Sequence, residues 1–163
     1  MLHYAGLIKN DFTDGPGVCV SFWTQGCPHK CPGCHNPETW DFDGGIELPI
    51  GILDELDEAI CANGIERNFS VLGGEPLCAE NVSLTFSVID HVRTYHPNIL
   101  IYVWTGYTLE QLKELPFYEI GIKPILERID VLIDGPYIKE QRDITLKLRG
   151  SRNQKIRKRG IDF

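Results

Sequence analysis

The chain has 163 residues, 42% of them hydrophobic and 24% charged, which suits a single soluble domain with its own core. A formal net charge of −7 excludes a general nucleic-acid binder, which carries a basic surface. No signal pattern opens the chain and no apolar run approaches the length needed to cross a bilayer, so a cytoplasmic protein without membrane contact is expected.

In chain order, residues 2–7 read as a short edge strand and 10–17 as a turn-rich loop containing Asp14-Gly15-Pro16-Gly17. Residues 18–24 are β-branched and aromatic, as a buried strand requires. After a loop over 35–45, residues 49–63 carry Ile52, Leu53, Leu56, Ala59 and Ile60 at helical spacing, with Asn63-Gly64 as a stop. A strand over 69–72 runs into Gly73-Gly74-Glu75-Pro76. An amphipathic helix is expected over 81–96, a strand over 99–104, a helix over 109–115 capped by Thr108, and a strand over 131–133. Strands alternating with helices give an α/β fold with a mostly parallel sheet and flanking helices, in a chain too short for a complete eight-unit barrel.

Six cysteines in a chain of this size point to ligands rather than staples. Cys27-Pro28-His29-Lys30-Cys31-Pro32-Gly33-Cys34 holds three thiols spaced C-x3-C-x2-C, with no fourth at matching spacing. A structural zinc site closes its tetrahedron with four ligands, whereas three thiolates on a [4Fe–4S] cube leave one iron open. Zinc held by Cys27, Cys31, Cys34 and His35 is the competing arrangement, and it would make the chain a non-catalytic interaction module. Cys19, Cys61 and Cys78 read as small buried hydrophobes, and His3, His91 and His96 as surface or helix-end residues.

Four strands end in unusual loops: the cysteines, Gly73 to Pro76, Trp104 to Tyr107, and Asp134 to Tyr137. At the carboxyl ends of parallel strands such loops share one rim and converge on one ligand. The paired glycines offer exposed backbone there, and Glu75 adds a carboxylate.

These features resemble the radical S-adenosylmethionine (SAM) enzymes, in which a Gly-Gly-Glu-Pro stretch follows the cysteine triplet by about this separation. Asp14-Gly15-Pro16-Gly17, the run from His35 to Trp40, Val103 to Tyr107, Val131 to Gly135, and Arg149 to Gln154 are similar, in order, to the activating enzymes of class III anaerobic ribonucleotide reductase. The chain departs in having Gly33 where many radical SAM proteins place an aromatic residue. It also has His35 where the activase family usually has one. The resemblance implies a single domain over 1–163 built as a partial, open β/α barrel, with a basic tail over about 147–163. It implies a [4Fe–4S] cluster on Cys27, Cys31 and Cys34 with one open iron that takes SAM. Gly73, Gly74 and Glu75 would hold the methionine end of SAM, Gly33, Cys34 and His35 the adenine side, with Thr105 and Asp134 as further polar contacts. SAM would be cleaved reductively, with an electron from a flavodoxin-like donor, to place a radical on a glycine of the reductase. The activase of another glycyl-radical enzyme would look alike.

Residues 147–159 hold seven of the chain's 16 lysines and arginines and no acid. They read either as a solvated tail or as a docking patch for a partner, with Arg149, Arg152 and Arg157 as its basic groups.

Overall fold

The structure, a computed structural model, describes residues 2–163. Among the described residues one sheet holds seven strands: β1 (His3–Asp11), β2 (Cys19–Thr24), β3 (Ile46–Glu47), β4 (Asn68–Gly73), β5 (Ile101–Trp104), β6 (Val131–Asp134) and β7 (Lys155–Lys158). Their order across the sheet is β3-β1-β2-β4-β5-β6-β7. The central four, β2, β4, β5 and β6, run parallel, since helical crossovers join each to the next. β1 pairs antiparallel with β2 and β3, and β7 antiparallel with β6.

The helices are α1 (Ile52–Ile60), α2 (Val82–Tyr95), α3 (Leu109–Glu114) and α4 (Lys123–Leu126), the last continuing a π-helical turn over Tyr118–Ile122. Alternation along the strands sends Val20, Phe22, Phe69, Val71, Ile101, Val103 and Leu132 into one core with the apolar faces of all four helices. Phe22, Phe69 and Leu132 are fully buried there, each contributing about 2 kcal/mol relative to exposure. The other face carries a smaller cluster, Tyr102, Val131 and Ile133, against Trp104, Leu148 and Ile156. All helices therefore share one face, and the second face is left to Ser21, Ser70, Trp23, Leu72 and Trp104 near the rim.

The expected α/β class, parallel centre and helix order are present. Thr108 caps α3 as expected: its hydroxyl accepts the Gln111 N–H while the Gln111 side chain accepts the Thr108 N–H. The sheet is open, with antiparallel strands at both edges. Residues 118–126 are helical in spite of Gly121 and Pro124, because Ile122, Ile125 and Leu126 bury against the core. The basic segment is not a free tail: its residues 155–158 form β7, where Ile156 packs on the second face and Arg157 pairs with Asp134 and Glu110.

Among the described residues no helix is long and apolar enough to cross a membrane. The carboxyl ends of β2, β4, β5 and β6 lie on one rim. The opposite rim gathers the C-terminal ends of α1 and α2.

Candidate metal centre

The chain after β2 is held close before it reaches the first cysteine. Gly26 N–H donates to the Thr39 carbonyl at 2.7 Å and Cys27 N–H to the Trp40 carbonyl at 3.1 Å. The segment after β4 packs on the same stretch: Gly74 N–H donates to Thr24 and Glu75 N–H to Gly26, each at 2.9 Å. A Cβ on Gly74 would lie 2.3 Å from the Gly26 carbonyl oxygen, and one on Gly73 would lie 2.6 Å from that of Thr24. The glycines thus let two backbones touch, and the N–H groups of Gly74 and Glu75 are spent on that contact. Asn81, buried at the head of α2, directs its amide to the carbonyls of Gln25, Gly26 and Glu75.

Beyond Cys27 the loop turns at Lys30 (φ 49°) and Gly33 (φ 76°), both left-handed. Cys27 is buried, while Cys31 and Cys34 are half-buried. All three open onto one cavity of about 170 Å³, with Gly73, Gly74, Thr105, Gly106, Gly135 and Tyr137 on its walls. The four rim loops do converge. Burial pushes the Cys27 thiol up, opposed by the backbone N–H groups of His29 and Lys30 that point at its sulfur. Asn36 N–H donates to Cys34 Sγ at 3.4 Å. The Trp40 indole also lines the cavity, and its buried Nε1–H has no partner in the protein. Such N–H groups are what thiolate sulfurs and inorganic sulfide accept.

The number of ligands separates the metals. A structural zinc site closes its tetrahedron with four protein ligands, whereas three thiolates leave one iron of a cube open. His35 does not join the set: it is exposed, its ring stands edge-on to Tyr137 at 5.1 Å, and it faces a neighbouring cavity. The donor set fits an iron–sulfur cube better than one zinc ion.

That neighbouring cavity, about 560 Å³, lies along the helix-free face of the sheet and shares Cys34, Asn36, Leu72, Trp104, Tyr137 and Gln154 with the first. A Cβ added at Gly33 would come 3.2 Å from the Lys139 side chain and 3.5 Å from the Tyr137 ring.

Glu75 is fully buried and already engaged on both oxygens. Oε1 accepts Leu77 N–H at 2.9 Å and the Thr105 hydroxyl at 2.8 Å; Oε2 accepts Gly106 N–H at 2.7 Å and meets His29 Nε2 at 2.7 Å. Thr105 is therefore a partner of Glu75 before it is anything to a ligand. Asp134 is not brought to the cavity. Its Oδ2 accepts Leu109 N–H at 2.7 Å, at the start of α3, and Arg157 Nε at 3.2 Å. The attraction of a helix N-terminus and a guanidinium turns it away from the rim.

Sequence reasoning passed over His29, which reaches from the cysteine loop to Glu75 and stands edge-on to Tyr107 at 4.5 Å. It also gave no part to Trp40, Tyr137 or Gln154. The Gln154 amide ties Gly135 to the basic segment by donating to the Gly135 carbonyl and accepting from Gly150 and Ser151 N–H.

A family model described as a 4Fe-4S single cluster domain matches residues 13–157. The chain is 35% identical over 156 residues to the anaerobic ribonucleoside-triphosphate reductase-activating protein of Vibrio cholerae, covering 95% of this chain and 97% of that one. The protein of the same name from Escherichia coli K12 is 32% identical over 95% of this chain and 97% of its own length. That of bacteriophage T4 is 33% identical over 95% of this chain and 93% of its own.

Proposed function

This chain belongs to the family of anaerobic ribonucleoside-triphosphate reductase-activating proteins, and we propose that it acts as its relatives' name states, by generating a glycyl radical on such a reductase. One observation carries the reading: three thiols, with His35 turned to a neighbouring cavity, open onto a cavity that the ends of all four parallel strands help to wall. Cys27, Cys31 and Cys34 would hold a [4Fe–4S] cluster whose open iron takes SAM. Bound there, the two would supply one-electron cleavage of the sulfonium and the radical that takes a hydrogen from a glycine of the reductase.

The chain's own residues do the rest. The N–H groups of His29, Lys30 and Asn36 stabilise charge on the sulfurs, and Trp40, whose Nε1–H has no partner in the protein, lines the same cavity. Glu75, held by four donors, keeps the cysteine loop, the β4 loop and the β5 loop in one register. The methionine end of SAM would lie against Gly73 and Gly74, within reach of the Glu75 and Thr105 region. Gly33, Cys34, His35 and Tyr137 would form the adenine side. Asp134 serves the site indirectly, by anchoring α3 and β7 beneath Gly135.

The open sheet, with every helix on one face, is read as a partial β/α barrel of radical SAM type, one domain over 1–163, working in the cytoplasm. Cys31 and Cys34 are only half-buried, which leaves an approach for the partner's glycine and for a flavodoxin-like one-electron donor. The test is anaerobic reconstitution with iron and sulfide, then SAM, reductant and an anaerobic ribonucleoside-triphosphate reductase. A glycyl-radical signal on the reductase that is lost with Cys31→Ser and Cys34→Ser is expected. SAM left uncleaved by cluster-loaded protein would overturn the reading.

A further inference from the structure

Away from the cysteine loop, at the rim where the parallel strands begin, we infer that Cys61, Glu66 and His96 form a second metal site, for a single divalent ion of the zinc class. The sulfur, a carboxylate oxygen and an imidazole nitrogen lie within 4.8 Å of one another. They come from three separate places: Cys61 ends α1, His96 ends α2, and Glu66 lies in the turn leading into β4. β4 spans six residues, so this site stands roughly 20 Å from the one at its other end.

The geometry around His96 sets which nitrogen is free. Its Nε2 meets Asp57 Oδ1 at 2.7 Å, so Nε2 carries the proton and Nδ1 keeps its lone pair. Nδ1 faces Cys61 Sγ at 3.8 Å, and His96 is buried, with 6% of its surface exposed. Zinc bonds of about 2.3 Å to sulfur and 2.0 Å to nitrogen place those two atoms roughly 3.6 Å apart in a tetrahedron, so an ion fits between them with a shift of tenths of an ångström. A carboxylate behind the imidazole is the usual support of a metal-bound histidine. Asp57 is itself fixed by α1 and by His91 Nε2 on its other oxygen at 2.9 Å. Arg67 pins the turn that carries Glu66 through the carbonyls of Ala62 and Ile65. Cys61 and Glu66 are exposed, which supplies an entry path and leaves the fourth position to water. The expectation that Cys61 is a buried hydrophobe is thereby corrected: it caps α1 in solvent. An ion here would tie both helix ends to the entrance of β4 and stabilise the folded state alone.

The test uses the cluster-loaded protein, so that Cys27, Cys31 and Cys34 are occupied, with Zn²⁺ alone as the probe. After desalting, metal analysis should find one zinc per chain. X-ray absorption at the zinc edge should find a single sulfur among nitrogen and oxygen neighbours. Cys61→Ala should lose the zinc, Glu66→Gln should weaken it, and Asp57→Asn should cost about tenfold to hundredfold in affinity. Cys61 and Glu66 are exposed, so their replacement leaves the fold intact. Added zinc should also raise the melting temperature of the parent protein and not that of Cys61→Ala. No zinc retained by the parent, zinc retained equally by Cys61→Ala, or two or more sulfurs per zinc would each overturn the site.

Discussion

His29 Nε2 stands 2.7 Å from Glu75 Oε2, joining the cysteine loop to the end of β4 across 46 residues of sequence. Both groups are withdrawn from solvent, the carboxylate completely. A buried carboxylate with all its lone pairs taken is a fastener, and its removal leaves Leu77 N–H, Gly106 N–H, the Thr105 hydroxyl and His29 without a shared acceptor. Glu75→Ala is expected to cost about 3–5 kcal/mol of stability, and His29→Ala about 1–2, in anaerobic urea unfolding. His29→Gln, which restores a donor, should recover part of the loss. Equal stability of all four proteins would show that the contact carries nothing.

The close approach at Gly73 and Gly74 makes a second prediction. A methyl group on Gly74 meets the Gly26 oxygen at 2.3 Å, and backbone cannot swing aside as a side chain can. Gly74→Ala should destabilise by about 2–4 kcal/mol and lower the iron content after reconstitution, since it separates the β4 loop from the cysteines. Gly51, where an added Cβ meets nothing within 4 Å, is the control, and Gly51→Ala should stay within about 0.5 kcal/mol of the parent.

The loop before β2 gives the protein a pH dependence near neutrality. Burial, with help from the neighbouring Asp11, pushes the Asp14 carboxyl up to about 7 from 3.8. Asp11 is held at about 2, because hydrogen bonds from Asp14, Ser21 and Thr13 outweigh its burial. Between pH 3.8 and about 7 the folded state keeps a proton on Asp14 that the unfolded chain has released, so this group's contribution to stability falls as pH rises through that window. Asp11 works in the opposite sense, and its contribution is lost only as pH falls below 3.8 toward 2. Urea midpoints between about pH 5 and pH 8 should therefore decline for the parent and flatten in Asp14→Asn, which imitates the protonated form. A parallel decline in that variant would assign the effect elsewhere.

The basic segment splits into two roles that the sequence ran together. Arg157 is 15% exposed, bonded to Asp134 and Glu110, and Arg157→Ala leaves Asp134 buried with Oδ1 already unpartnered. That variant should lose about 2–3 kcal/mol of stability. Arg152 is exposed and Arg149 half-exposed beside the larger cavity, so Arg149→Glu with Arg152→Glu should slow activation of the reductase without changing iron content or melting temperature. Unchanged activation rates would remove the docking role.

What could be read from the sequence was what local pattern encodes. The four parallel strands are short apolar runs, Thr108 begins a helix with a partner three residues on, and the cysteine spacing is contiguous. What could not be read depends on partners distant in the chain. β7 has one apolar residue, Ile156, and becomes a strand only because β6 offers an edge. His29 looks like any loop histidine until Glu75 is placed beside it. Asp134, at the end of β6 where a rim loop begins, is claimed by α3 and Arg157. Gly73 and Gly74 sit where expected, but their bare backbone faces Thr24 and Gly26.

On the proposed function, Cys27, Cys31 and Cys34 would hold a cube with one iron open to SAM. Low-temperature EPR of the anaerobically reconstituted, reduced protein, recorded with and without SAM, tests it most directly. A reduced [4Fe–4S] signal whose shape changes on adding SAM, and which is absent from Cys31→Ser, is expected. A sample without iron, with zinc bound through the sulfurs of Cys27, Cys31 and Cys34, would contradict it.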